Sequence, residues 1–184
     1  MARKVITAED LHKESVHLWE VLRAESPLAA TLICGAFLDK ALAALLMKFF
    51  VKGQTAHNIL DENKGAISDF FKRANLAYCL GLITSMMLQN LLLIAQIRNV
   101  FAHSHKTMDF SHPDVAELCA KLQVPKVAEQ IALGGPPTPL SELLGEPSTR
   151  FRIISLLTFN SLINIAMSTE HRTRPTSQPM WTKD

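Results

Sequence analysis

Cysteine is scarce. The chain has three, Cys34, Cys79 and Cys119, far apart and without a CxxC pair or Cys/His ligand spacing, which excludes a disulfide framework and the usual zinc sites. All three lie in apolar runs and read as reduced core residues of a cytoplasmic protein. His12, His17, His57, His112 and His171 stand singly, so no metal is expected. A glycine-rich phosphate loop, a dinucleotide fingerprint and a nucleophile elbow are all missing, so no cofactor is expected either. Charge of one sign is also lacking: 19 Lys and Arg face 17 Asp and Glu, for a net charge of +2. That balance creates no broad field for DNA, and no basic recognition helix is visible, so specific direct DNA binding is not expected. The N-terminus, MARKVITAED, lacks the apolar stretch and cleavage site of a secretion signal. The longest apolar run, from Leu28 to Val51, carries Asp39 and Lys40 at its centre, where a bilayer penalises charge most, so it reads as a core helix and no membrane association is expected. Sustained apolar/polar alternation, the mark of a half-buried strand, is absent.

What remains is helical periodicity over a chain of 184 residues, 48% hydrophobic and 20% charged, which is enough for one packed domain. The fold class expected is all-α, with a single helical domain over residues 1–168 and a flexible tail over 169–184. Thr7 and Asp10 resemble a capping box for a first helix ending near Glu25, with Leu11, Val16, Leu18, Trp19 and Leu22 as apolar contacts. Ser26-Pro27 opens a second helix that runs to about Lys52, before Gly53. It is apolar around most of its circumference, which places it at the centre of a bundle or at a subunit interface. A polar connection with a short helical turn follows, then helices over 66–80 (stopped by Gly81), from Thr84 or Ser85 onward, from Ser111 to about Leu122, and over 150–167. GGPPTP marks a loop before the last of these.

The stretch QIRNVFAHSH, Gln96 to His105, ends an apolar helix with cationic, amide and imidazole groups. Asn99 and His103 are four apart and adjacent on a helix, so the amide can hold one imidazole nitrogen and leave the other outward. Arg98 and His105, seven apart, share another face. Arg98 and His103 are separated by about 140° around the axis, so convergence on one ligand needs a distorted helix end or a second subunit; a homodimer is expected. One reading is a phosphate or RNA site, with Arg98 binding the anion and His103 moving a proton. The other is a helix terminus whose cations complement the dipole. Upstream, Asp69 and Arg73 are spaced for an i,i+4 ion pair of a few tenths of a kcal/mol.

The segment GAISDFFKRANLAYCLGLI followed by a helix and RNVFAH, with Gly65, Asp69, Arg73, Tyr78, Leu80, Gly81 and Ile83 in order before Arg98 and His103, resembles the mannitol operon repressor (MtlR/MltR) family; LICGAFLDKALAALL resembles that family's preceding core helix. The R-x4-H arrangement with asparagine after the arginine is also similar to the HEPN superfamily. The resemblance implies an HEPN-like helical bundle and a repressor-type regulator of transcription, without a DNA-binding motif of its own, that works through a protein or RNA partner with Arg98, Asn99, His103 and His105 at the binding surface. The alternative it implies is a metal-independent endoribonuclease, with His103 as general base, Arg98 stabilising the transition state and Asn99 orienting the histidine.

Overall fold

The computed structural model describes residues 7–104, 107–124 and 144–173. Among these residues there are eight α-helices and no strand: α1 (Ala8–Lys13), α2 (Ser15–Ala24), α3 (Pro27–Phe49), α4 (Gln54–Leu60), α5 (Phe70–Cys79), α6 (Ser85–His103), α7 (Pro113–Lys121) and α8 (Pro147–Ser168). The all-α class follows.

Local chemistry sets most boundaries. Thr7 accepts from the Asp10 amide and donates its hydroxyl to the Asp10 carboxylate, closing the start of α1. The expected single first helix is broken at Glu14, whose amide bonds Leu11 instead of continuing the i→i−4 ladder. The break turns α2, so that Leu18 and Leu22 are buried while Val16, expected to make a core contact, is 67% exposed. Ser26 caps α3 through the Ala29 amide, with Pro27 at the first position. The helix stops at Phe49, one turn earlier than the sequence indicates.

α3 is the hub. Its flanks meet α1, α2, α4, α5, α6 and α8, with the most extensive packing against α8. The two run in the same direction: Cys34 faces Ser155, Phe37 meets the Phe159 ring edge-on at 5.7 Å, and at the far end the Phe50 carbonyl accepts from His171 Nδ1 at 2.8 Å. Arg172 completes that end, its amide donating to Phe49 and its guanidinium covering the Phe49 ring at 4.7 Å. Both α3 and α8 have the length and apolar composition of a membrane span. Here each buries its apolar side in the other and in the surrounding helices, so most of the α3 circumference that pointed toward a subunit interface is covered by the chain itself. Of its large residues, Leu28 and Leu32 stay more than 40% exposed.

The other end of α8 begins three residues before Arg150. Glu146 is its N-cap, accepting from the Ser148 and Thr149 amides. Nearby, Phe101, Phe110 and Phe151 stack in series, tying the end of α6 to the start of α8. Of the cysteines, Cys34 and Cys119 are buried and burial pushes each thiol up to about 12. Cys79, expected in the core, is exposed at the last position of α5. GGPPTP and residues 174–184 of the expected tail lie outside the described residues.

Candidate functional site

α6 carries the R-x4-H segment to its final residue. Thr84 caps it through the Met87 amide, and Leu91, Ile94, Ile97 and Phe101 bury its inner face. Arg98 and Asn99 are half-buried and His103 is exposed, ending the helix. His105 lies outside the described residues.

The asparagine serves the arginine, not the histidine. Asn99 Oδ1 accepts from Arg98 Nε at 3.2 Å and Nη2 at 2.9 Å. The anticipated Asn99–His103 pairing is not formed, because the amide oxygen is already occupied by a charged, forked donor, a stronger partner than a neutral imidazole. His103 thus stands at the helix end unoriented by Asn99.

Beneath Arg98 lies α3. A Cβ built on Gly35 would sit 2.9 Å from Arg98 Cδ, so the arginine stem rests directly on the α3 backbone. One turn further along the same face of α3 is Asp39. Its Oδ2 accepts from Arg73 Nη1 at 2.5 Å, while its Oδ1 is buried without a hydrogen-bond partner. Burial pushes the Asp39 carboxyl above its usual value, opposed by the charge and hydrogen bond of Arg73 and, less strongly, by the charge of Arg98.

Arg73 is 1% exposed and reaches three acceptors: the Asp39 carboxylate, Leu60 O at 2.9 Å through Nη2 and Ile67 O at 3.2 Å through Nε. The Asp69–Arg73 pair expected from i,i+4 spacing is therefore replaced. Asp69 is the N-cap of α5, accepting from the Lys72 amide and pairing with the Lys72 ammonium at 2.8 Å. That cap also explains why α5 starts at Phe70 instead of Ala66: Ala66 and Ile67 lie in a turn after α4, with the Ile67 amide bonded to Ile59 O.

The remaining signature residues have equally local reasons. At Gly65 an added Cβ would lie 2.3 Å from Ile59 O, so the backbone crossing leaves no room for one. Gly81 has φ +71°, the left-handed conformation that ends α5 as a Schellman motif, with Gly81 N bonded to Tyr78 O and Leu82 N to Ala77 O. Ile83 is buried and Tyr78 is 44% exposed. Gly35 and the pairing role of Asp39 escaped the sequence reading. The available signal was a glycine and a carboxylate four apart inside an otherwise apolar helix, where each is costly unless something packs on it.

No family model and no curated protein matches the chain. Among solved structures, the chain is similar to MtlR in the X-ray structure of the MtlR–HPr complex from Escherichia coli, with a TM-score of 0.59 and 20% identity over 84% of this chain and 98% of that one. The two share a fold.

Proposed function

We propose that this chain is an MtlR-like regulatory protein of the cytoplasm that acts on transcription by binding a protein partner, with the Arg98–His103 end of α6 as part of the binding surface. The observation that carries the reading is the fold match across nearly the whole of a protein solved in complex with HPr. The site agrees with it: Arg98 is held rigidly by Asn99 while His103 is exposed and receives no orienting bond from that amide. A guanidinium fixed in this way loses less side-chain freedom on association than a free one. General-base chemistry needs the opposite arrangement, an oriented imidazole.

Calorimetric titration of the purified chain with HPr tests the reading. Saturable binding, weakened by Arg98→Ala with the helical content intact, is expected; absence of binding overturns HPr as the partner. Incubation with total RNA in EDTA is the second arm. Cleavage by the wild-type chain that disappears in His103→Ala would replace the regulatory reading with the ribonuclease one.

A further inference from the structure

Glycine inside a helix is less favourable than alanine, since it gives up more backbone freedom and packs no side chain. Gly35 lies in the middle of α3 and its φ is not positive, so its own backbone does not call for glycine. What excludes a side chain is Arg98. The three atoms nearest to an added Cβ all belong to it: Cδ at 2.9 Å, Nη1 at 3.7 Å and Cγ at 3.8 Å. Carbon atoms pack best at about 3.5–4.0 Å, so the Arg98 stem would have to lift off α3. In the observed position it lies flat across that helix while Nε and Nη2 turn back to Asn99 Oδ1.

We infer that Gly35 is a positioning residue for Arg98: its bare backbone sets the path of the arginine across α3, and so the direction in which the guanidinium is presented at the end of the bundle. α3 thereby controls a side chain that belongs to the motif on α6. Asp39, one turn away on the same face and with one carboxylate oxygen unpaired, lies where the charge of Arg98 acts on it. The functional meaning of this seat rests on the proposed role of Arg98 in partner binding. Its geometry does not.

A double-mutant cycle read by thermal midpoint and by NMR separates the two. Helix propensity alone makes Gly35→Ala stabilising by the same amount in any background. The seat predicts a rise in midpoint for Gly35→Ala when Arg98 has been replaced by alanine, and a smaller rise or a fall when Arg98 is present. In the Arg98-containing variant, the Arg98 Nε–Hε resonance should move from its wild-type position as the bond to Asn99 is disturbed. Equal midpoint changes in both backgrounds, or an unmoved resonance, overturn the inference. Failure to fold in both backgrounds overturns it as well, because the atoms nearest to the new methyl are gone in one of them. Titration with HPr is read separately: if HPr binds, Gly35→Ala and Arg98→Ala should weaken it non-additively. If HPr does not bind at all, the partner reading falls and the cycle still decides the seat.

Discussion

Arg73 joins three segments through one guanidinium: α3 at Asp39, the end of α4 at Leu60 and the turn at Ile67. Its removal leaves two carbonyls without a donor and a part-buried carboxylate without its counter-ion. Breaking a buried pair from one side costs about 3–5 kcal/mol, so Arg73→Met should lose stability of that order in urea denaturation. Arg73→Lys should recover only part of it, since an ammonium cannot span the same three acceptors. A loss below about 1 kcal/mol, the range of an exposed pair, would show that Arg73 is not the fastener described. Gly81 offers a smaller, independent test: with φ +71° and nothing within 4 Å of an added Cβ, Gly81→Ala meets backbone strain alone and should cost about 1–2 kcal/mol.

At the level of whole helices, the clearest consequence concerns the start of α8. Burial by itself would raise the Glu146 carboxyl, but hydrogen bonds from Thr149 and Ser148 overcome it and bring the group down to about 2 from an ordinary 4.5. A carboxylate depressed by folding contributes stability above its unfolded pKa, and that contribution disappears as pH falls through the folded value. Glu146→Ala should therefore cost about 1 kcal/mol, the typical worth of an N-cap, at neutral pH. The difference from wild type should shrink between pH 4.5 and about 2, as followed by thermal melts across that range. A pH-independent difference would remove the carboxylate from the cap. This helix also marks what the sequence could and could not tell. Caps that use a hydroxyl followed by proline, as at Ser26, or a Thr/Asp box, as at Thr7, were legible because the bonds are made within four residues. The Asp69 cap is visible in composition, but its spacing to Arg73 suggests an ion pair, and spacing cannot reveal that Arg73 finds Asp39 across 34 positions. The break at Glu14 has no proline or glycine to announce it. In the candidate site, the identities of Arg98, Asn99 and His103 were readable and their pairing was not, because the i,i+4 rule favours Asn99 with His103 while the adjacent guanidinium reaches the amide first.

For the molecule as a whole, coverage of α3 by its neighbours narrows where self-association could occur. The homodimer expected from the sequence has Leu28 and Leu32, 44% and 43% exposed, as the large apolar side chains of that helix still open to a second copy. Light scattering should then give a dimer mass for the wild type and a monomer for Leu28→Lys/Leu32→Lys; one mass for both rules out a dimer through α3. A different consequence follows from Arg150. Its guanidinium donates to Leu122 O through Nε and Nη2 and to Leu144 O through Nη1, and the Asn90 amide fixes the Gln123 backbone by a donor and an acceptor at 2.8 Å each. The backbone at Leu122 and at Leu144 is thus fastened at one place in the bundle. A single side chain acts as a clasp across the junction between α7 and α8. Arg150→Met should undo both fastenings at once and lower stability by about 1–3 kcal/mol, because two carbonyls lose a charged donor; a urea midpoint equal to that of the intact chain would show that the clasp carries nothing.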